Sequence, residues 1–405
     1  MNFNFPLSPL EGCSEKISVG IVVNPSKWYV ERGVRCFRSQ NVRENKINDS
    51  GWVFISDEGH AFHKKSRIQA GDVLVVRTGA PGTACVVTPE FDGANCIDVI
   101  IVRPDSKRLN PNYLSFFLNS EVAKRQISNL QGGMAQQHLN VGAISNLEVP
   151  LPDLSEQKAI GDAISIWQTA MEKIDGLVGR VRQRRQGLMQ QLLTGKRRFP
   201  GFKQPWRRVE IGQVLMEVDR PIAMRDEEMY RLASVSRNWE GLFEREALYG
   251  RDIKTKNLRE IKGGDFLISH IQAAYGALSM VPTSFDGFKV SNMYSCLRAR
   301  DPALFDLHFF AYLAQQPRMT YLCRASSNGF FAERLRLNFM PEVFLLQTID
   351  IPPTIEEQRR IITVLDGVDR EIAVLEKLAA AYREQKRGLM QQLLTGKRRV
   401  KVQAA

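Results

Sequence analysis

The sequence lacks several features that would place it among secreted, membrane or disulfide-stabilised proteins. Its 405 residues include only six cysteines, none of them in a C-x-x-C pair. This favours a reducing compartment over a disulfide scaffold. No apolar run approaches the ~18–20 residues that span a membrane, and the first residues lack the basic and apolar regions of a secretory signal. We therefore expect a cytoplasmic protein with buried free thiols and no membrane contact.

Two segments resemble motifs of DNA-acting enzymes, but neither is complete. Asn110–Tyr113 resembles the N-P-P-Y loop of adenine methyltransferases, yet Asn112 replaces a proline and no glycine-rich loop for a methyl donor follows. A helix start explains this segment better. Pro152–Lys158 resembles a PD-ExK nuclease motif, in which carboxylates hold Mg²⁺. The matching segment Pro353–Arg359 lacks both the aspartate and the lysine, so helix capping is the better interpretation.

Phosphate-binding and metal-binding patterns are also incomplete. Gly195–Arg197 and Gly396–Arg398 contain the Gly-Lys step of a P-loop, but arginine stands where serine or threonine is required. A glycine that ends a helix is the simpler explanation. His60 and His63 are close in sequence, but no further histidine or cysteine has ligand spacing. We expect a non-catalytic chain with no metal and no cofactor of its own.

Positive charge is what the sequence has in excess. Lysine and arginine number 56 against 44 aspartates and glutamates, a formal net charge of +12. Such an excess favours a polyanionic partner, nucleic acid before membrane. Hydrophobic residues make up 43% of the chain, which is a globular composition, and its length suggests two to four folding units.

The chain contains an internal repeat. Residues 187–198 and 388–399 both read GLMQQLLTGKRR, and they lie 201 residues apart. The same offset superimposes Glu156-Gln157 on Glu357-Gln358. The ends of the two halves therefore match, whereas their beginnings do not, and self-similarity of this kind indicates a duplicated architecture.

The matching parts are predicted to be long helices of about 40 residues, or about 60 Å each. Asp153 and Thr354 are N-cap residue types, and a glutamate three residues later completes a capping-box pattern in each copy. Apolar residues then recur at four-three spacing, which predicts a coiled-coil seam. The seam comprises Ile160, Ile164, Trp167, Met171, Ile174, Val178, Val181, Leu188 and Leu192, and Ile361, Leu365, Val368, Ile372, Leu375, Tyr382, Leu389 and Leu393.

One seam position is basic in both copies, Arg185 and Lys386. In a parallel pair in register these two charges would share a layer and repel each other, whereas in an antiparallel pair they lie apart. The sequence therefore favours antiparallel helices, with two ordinary surface helices as the alternative.

The beginnings of the halves read as mixed α/β (α+β) domains. Strands are predicted at 72–77 and 99–104 in the first half and at 265–270 and 296–300 in the second. Each half continues with an apolar helix, at 113–118 and 307–313. The predicted order is a first domain over 1–152, a helix over 153–198, a second domain over 199–352, a helix over 353–399 and a tail over 400–405.

These features together resemble the specificity subunits of type I restriction–modification systems. The resemblance rests on Ser155–Ile160 after Pro152, on Glu356–Ile361 after Pro353, on the repeated GLMQQLLTGK and on the G-D-x-L strands at Gly71 and Gly264. It covers the whole chain. Residues 205–212 resemble the segment that opens a domain in this family, and residues 1–15 show no matching segment.

The resemblance implies two target recognition domains separated by two antiparallel helices in a pseudo-twofold architecture. It implies recognition of a bipartite, asymmetric site in double-stranded DNA. The implied partners are two modification (methyltransferase) subunits and two restriction (translocase/nuclease) subunits. S-adenosylmethionine, ATP and Mg²⁺ would be bound by those partners, and the specificity subunit itself would have no active site.

DNA readout needs arginine, amide and hydroxyl side chains in exposed loops and at strand ends. The candidates are Arg35, Arg38, Asn41, Arg77, Thr78, Gln136 and His138 in the first domain, and Arg231, Ser236, Arg237, Asn238, Ser269, His270, Gln272, Tyr275, Arg334 and Arg336 in the second. Lys64, Lys65 and Arg67 form a further basic group, either a phosphate patch or a charged turn.

Two other functions remain open from the sequence. A coiled-coil adaptor whose end domains bind proteins would share the helices but show no preference for duplex DNA. A self-sufficient methylase or nuclease would require activity from the purified chain alone.

Overall fold

The computed structural model describes residues 3–130, 138–328 and 338–400. The chain divides into two compact units. The first unit extends to Gly176 and resumes at Glu376, whereas the second unit runs from Leu177 to Leu375. Both divisions fall inside long helices, so each unit contains a segment of both.

A four-stranded antiparallel sheet lies at the centre of the first unit. Its strand order is Ser14–Val19, Val99–Pro104, Val73–Val76 and Ala84–Val86. All four residues of Val73–Val76 are buried. Successive side chains of a strand point to opposite faces, so Val73 and Val75 enter one core while Leu74 and Val76 enter another.

The second unit repeats this sheet. Its order is Leu215–Glu217, Tyr294–Ala299, Phe266–Ser269 and Leu278–Met280, again antiparallel throughout. Phe266 and Ile268 face one core and Leu267 faces another. The two domains therefore share a topology that their sequences do not reveal.

Short elements complete each unit. In the first unit the remaining strands are Leu7–Pro9, Tyr29–Val30, Val34–Phe37, Val42–Arg43, Lys46–Ile47, Val53–Ile55, Asn95–Cys96 and Glu148–Pro150, and the helices are Asp57–Phe62, Pro111–Leu118, Glu121–Leu130 and Val141–Ser145. In the second unit the strands are Arg207–Glu210, Met229–Tyr230, Ala233–Val235, Leu242–Glu244, Leu248–Tyr249, Leu258–Glu260, Lys289–Ser291, Ser327–Asn328, Asn338–Phe339 and Thr348–Ile351, and the helices are Ile211–Val214, Leu307–Leu313, Pro317–Ala325 and Pro341–Leu345.

The first helix after the sheet begins at Asn110–Tyr113, the segment that resembles a methyltransferase loop. The Asn110 side chain accepts hydrogen bonds from the backbone N–H groups of Asn112 and Tyr113, and Pro111 occupies the first turn, where no backbone donor is needed. The interpretation of this segment as a helix start is confirmed.

The two long helices are Leu154–Leu192 and Ile355–Leu394, which confirms the predicted long helices. Within the first unit Trp167 contacts Tyr382 with ring centroids 5.4 Å apart, and Arg383 pairs with Asp175. Within the second unit Arg184 pairs with Glu371. From Gln168–Lys386 to Asp175–Arg383 in the first unit, and from Arg184–Glu371 to Arg185–Asp369 in the second, residue numbers rise along one helix as they fall along the other. The helix segments of each unit are therefore antiparallel.

The predicted seam residues are all removed from solvent to some degree. The buried ones are Ile160, Ile164, Ile174, Val178, Val181, Leu192, Ile361, Leu365, Val368 and Leu393, and the half-buried ones are Trp167, Met171, Leu188, Ile372, Leu375, Tyr382 and Leu389. The four-three spacing therefore identified the faces that pack.

The two basic seam residues have different surroundings. Arg185 pairs with Asp369 and donates to Gln315 Oε1 at 3.0 Å in the second unit. Lys386 donates only to the neutral amide oxygen of Gln168 in the first unit. Burial lowers the pKa of Lys386, although Glu44 and Glu172 act in the opposite direction. The repeat thus places a compensated charge at one position and a poorly compensated charge at the other.

Replacing each of these residues by methionine should change stability in opposite directions. Lys386→Met should stabilise the protein by about 1 kcal/mol, because it removes a desolvated ammonium. Arg185→Met should destabilise it, because Asp369 would lose its cationic partner although it keeps the hydrogen bond from the Tyr312 hydroxyl. Because the pKa of Lys386 is lowered in the folded state, wild-type stability should rise as pH increases toward the ordinary value of 10.5. Urea unfolding of wild type and Lys386→Met at several pH values would test this. An equal slope in both proteins would contradict the assignment.

Each copy of the GLMQQLLTGKRR repeat packs against the domain that precedes the other copy's helix. Met189, Leu192 and Leu193 belong to the core of the second unit. Met390, Leu393 and Leu394 belong to the core of the first unit. The end of one long helix therefore completes the domain that precedes the other helix.

The arginine that ends each copy of the repeat forms the same kind of ion pair in both halves. Arg399 donates to both carboxylate oxygens of Glu156 at 2.7 Å, and Arg198 donates to both oxygens of Glu357 at 2.8 Å. The predicted capping boxes are wrong in this respect, because the glutamate side chains bind arginine and not the backbone N–H of the N-cap residue. Only Thr354 acts as a cap, accepting from the Glu357 N–H at 3.4 Å.

The structure also supplies the opening segment that residues 1–15 did not show in sequence. Leu7–Pro9 pairs with Glu148–Pro150, as Arg207–Glu210 pairs with Thr348–Ile351. The ring of Phe5 packs on Gly396, and a Cβ atom added at Gly396 would lie 3.0 Å from that ring. Both halves therefore open in the same way, with different residues.

Candidate nucleic-acid interface

A strained turn organises the candidate residues of the second unit. The turn joins the strands Ala233–Val235 and Leu242–Glu244, and within it Asn238 and Trp239 have φ values of 55° and 59°. Non-glycine residues seldom adopt this left-handed region, and a bulky side chain there needs strong support from its surroundings. The sequence analysis did not identify Trp239, since nothing in its local pattern predicts a positive φ.

A second turn provides that support. The backbone N–H of Asn238 donates to Tyr275 O at 3.0 Å, and that of Trp239 donates to Gly276 O at 2.9 Å. Gly276 itself has a φ of 76°, and a Cβ atom there would lie 3.0 Å from the Trp239 ring. Only glycine satisfies both the backbone conformation and the close approach. The two turns therefore hold each other rigidly.

The paired turns present three polar side chains side by side. The Arg237 guanidinium lies 5.2 Å from the centre of the Tyr275 ring, and Arg237, Asn238 and Tyr275 are exposed. Within the part of the chain that the structure describes, no carboxylate lies within ion-pair distance of Arg237. Its hydrogen-bond donors therefore remain available to a ligand. Preorganised arginine and amide groups are the side chains that bind base edges and phosphates.

Arg231, by contrast, is already occupied. It donates to both oxygens of Glu244 at 3.0 Å and lies 4.1 Å over the Phe288 ring. The hydrogen bonds from Arg231 lower the pKa of Glu244 below its usual value. The positive charge of Arg231 is thus largely compensated, although both side chains are exposed.

The other described candidates of the second unit lie in or beside the paired turns and are buried or half-buried. Ser269 is only 6% exposed. His270 bonds through Nε2 to Ser295 Oγ at 2.8 Å, and burial is the main cause that lowers its pKa. The N–H groups of Ser236 and Gln272 bond to Gly241 O and Ser269 O. DNA contact by the half-buried residues Ser236, His270 and Gln272 stays a prediction. Ser269 is buried, so its side chain is not available to DNA.

In the first unit the structure brings Arg77, Thr78 and His138 together. Thr78 Oγ1 lies 2.6 Å from His138 Nδ1. Arg77 donates to Leu139 O at 3.1 Å and pairs with Asp98. Thr78 lies in the connection between the third and fourth strands of the sheet, and Tyr275 lies in the same connection of the second unit. Both clusters therefore occupy one topological position. Gln136, Arg334 and Arg336 lie outside the described residues.

The loop from Arg38 to Gly51 contains two more first-unit candidates, Arg38 and Asn41. Arg38 donates to Gly51 O at 2.8 Å. Asn41 has no exposed surface. Its amide accepts from Arg38 N and donates to Asn48 O and Ser50 O. Asn41 therefore closes the loop and is not available to a base, which corrects its nomination from sequence.

Arg35 lies on an aromatic surface instead of in a loop. Its guanidinium is 5.6 Å from the Trp52 ring and 5.3 Å from the Phe91 ring. Arg67, of the basic group 64–67, donates to His60 O and stabilises the local turn. Within the described ranges no group of three or more His, Cys, Asp or Glu side chains could hold a metal, and no helix there is long and apolar enough to cross a membrane. All six cysteines are free and buried.

Comparison with known proteins gives consistent results. A model of the type I restriction modification DNA specificity domain matches residues 37–174. A Methanocaldococcus jannaschii protein named as the MjaX specificity subunit of a type I restriction enzyme is 24% identical over 427 residues, covering 97% of this chain and 93% of that protein. The chain is thus similar to the specificity subunits of type I restriction–modification systems.

Solved structures of specificity subunits share the fold. The HsdS subunit from Thermoanaerobacter tengcongensis superposes with a TM-score of 0.51 at 18% identity, over 97% of both chains. A chain from a type I restriction–modification system, solved to explain its assembly and conformational transition, has a TM-score of 0.61 at 19% identity, over 97% of this chain and 98% of that one. The chain therefore shares the fold of these structures, with two mixed α/β domains and long helices.

The matched DNA specificity domain includes the first-unit cluster of this chain and excludes the second-unit cluster. The second-unit cluster is a candidate because Thr78 and Tyr275 lie in equivalent connections of the repeated sheet. The structure thus identifies a candidate in a part of the chain that the domain match does not reach.

Proposed function

We propose that this chain is a specificity subunit and recognises a bipartite, asymmetric site in double-stranded DNA, one part with each unit. The observation that carries the proposal is the repeated sheet. The connection between its third and fourth strands contains Thr78, which bonds to His138, in one unit and Tyr275, which stacks with Arg237, in the other. An identical scaffold that presents different side chains is suited to reading two different sequences.

We further propose that the subunit directs two modification subunits and two restriction subunits to that site. The supporting feature is the duplicated helix entry and exit. Arg399 with Glu156 and Arg198 with Glu357 have the same geometry, and two similar surfaces can bind two copies of one partner. In this proposal the chain is non-catalytic, and S-adenosylmethionine, ATP and Mg²⁺ act on the partner subunits.

The experiment is co-purification of the chain with the products of its neighbouring genes, followed by methylation sequencing of the host DNA. The proposal predicts a complex with two methyltransferase copies and adenine methylation at a split motif. A duplex carrying that motif should be retained in preference to a scrambled duplex, with an affinity that falls steeply with salt. Salt-insensitive capture of acidic proteins without duplex preference would instead support the adaptor function.

A further inference from the structure

The first unit carries exposed apolar residues around Trp28, which we call the Phe62 patch and define as Val22, Val23, Lys27 and Phe62. Val22 and Val23 follow Ile21, which packs in one cluster with Trp28, and Trp28 contacts Phe62. The exposed fractions of its apolar side chains are 62% for Val22, 74% for Val23 and 69% for Phe62. Leaving three large apolar side chains in water on one domain is unfavourable unless they meet a partner.

The Phe62 ring is supported by the Trp28 ring. Phe62 is the last residue of the helix Asp57–Phe62, and its ring centroid lies 5.8 Å from that of Trp28. Trp28 packs directly on Gly59, where a Cβ atom would lie 2.8 Å from the Trp28 Cβ. The exposed ring is therefore a rigid projection of the domain and does not belong to a loose loop.

Positive charge surrounds the patch. Lys27 Nζ lies 4.8 Å from the Trp28 ring and 5.6 Å from the Phe62 ring. The turn Lys64–Ser66 follows Phe62 and exposes Lys64 and Lys65. Among the described residues, no carboxylate forms an ion pair with these three lysines. The acidic residues Asp57 and Glu58 of the six-residue helix Asp57–Phe62 lie one turn before Phe62.

Two ring nitrogens of the same aromatic group lack partners. Trp28 Nε1 and His63 Nε2 are buried and form no hydrogen bond with the described residues. An unsatisfied buried nitrogen is unfavourable, and an oxygen-rich ligand that reordered Lys27 would relieve it. The chemistry around the patch thus favours a ligand with both apolar surface and anionic oxygens.

Two contacts link the segment that carries Val22 and Val23 to the first-unit candidate cluster. Ile21 O accepts a hydrogen bond from Asp98 N at 3.0 Å, and Asp98 pairs with Arg77. Val22 and Val23 follow Ile21 directly. The segment that carries the two valines is therefore joined through Asp98 to the cluster that contains Arg77.

We propose that the Phe62 patch is part of the DNA-binding surface of the first unit. Phe62 contacts apolar edges of the bases while Lys27, Lys64 and Lys65 contact flanking phosphates. This inference rests on the proposed function. Duplex DNA is the partner that combines apolar base edges with closely spaced anions, and phenylalanine contacts to thymine methyl groups or unstacked base steps are known modes of readout.

The test uses the chain in complex with its modification subunits and a fluorescent duplex that carries the split motif found by methylation sequencing, with a scrambled duplex of the same length. Phe62→Ala should weaken binding of the motif duplex roughly tenfold. Lys27→Ala should reduce the salt slope by about one. Tyr321→Ala, which removes a 68% exposed ring from the second unit, is the matched control and should leave binding unchanged.

The outcomes separate this inference from the proposed function. If wild type prefers the motif duplex and Phe62→Ala binds it equally well, the patch does not contact DNA. If Phe62→Ala binds DNA normally but loses a protein subunit from the complex, the patch is a protein-docking surface and the inference is overturned. If wild type shows no preference between the duplexes, the proposed function itself is wrong.

Discussion

Replacing Arg198 by alanine is expected to lower the free energy of unfolding by about 3–5 kcal/mol. The partner carboxylate of Glu357 is 1% exposed, and it also accepts from Trp206 Nε1 at 3.3 Å. Without Arg198 this buried charge would keep a single weak partner. Denaturant unfolding of the purified chain, followed by far-ultraviolet circular dichroism, measures the change.

The neighbouring residue provides the control. Arg197 is exposed, and Arg197→Ala should change stability by less than about 0.5 kcal/mol. Arg399→Ala should fall between the two, because Arg399 is 62% exposed and its pair with Glu156 is better solvated. If Arg198→Ala is no more destabilising than Arg197→Ala, the ion pair does not hold the helix ends as the structure indicates.

Replacing Arg237 by alanine is expected to weaken binding of the motif duplex about 10- to 100-fold and to relax specificity in one half of the site only. A direct contact between arginine and a base edge contributes about 1–3 kcal/mol of discrimination. Arg237 is suited to this contact because it stacks on Tyr275 and has no described carboxylate partner. Binding of duplexes altered one position at a time would locate the affected half.

Arg231→Ala is the matched control for that experiment, because Arg231 is equally exposed but bound to Glu244. It should change binding much less. Gly276→Ala tests the scaffold separately, since an added Cβ would press on the Trp239 ring and strain a positive φ. It should impair the same half of the site. An Arg237→Ala variant that loses affinity equally for all sequences would indicate a phosphate contact instead of base readout.

The candidate interface and the helix ends both follow from the duplication of the chain. The repeated motifs supply identical structural contacts, and the connections between strands supply different ones. A change in the repeat should therefore affect stability and assembly, whereas a change in the connections should affect which DNA is bound.

Sequence patterns predicted the periodic features well. Seam residues such as Ile164 and Leu365 were identified because the spacing of apolar side chains along a helix decides which of them face a partner. The strands Val73–Val76 and Phe266–Ser269 were predicted because short apolar runs bounded by turns are typical of buried strands.

Individual binding residues were predicted less well. Asn41 and Ser269 have the right chemistry for DNA contact, but neighbouring chain segments bury them. Trp239 and Phe62 were not nominated. The backbone conformation of Trp239 depends on a turn more than thirty residues away. The exposure of Phe62 depends on which segments of the domain pack beside it. Residue type indicates what a side chain can bind, but not whether it is free to do so.

The sequence by itself determined the duplication, the long helices, the type of domain and the resemblance to a family, because these follow from local periodicity and from matching segments. Only the tertiary structure decided that Arg198 meets Glu357 and that Phe5 packs on Gly396 as Trp206 packs on Gly195. It also decided that Arg231 is paired with Glu244, whereas Arg237 has no carboxylate partner among the described residues. The physical reason is that burial and charge compensation depend on residues far apart in the chain, and only folding brings those residues into contact.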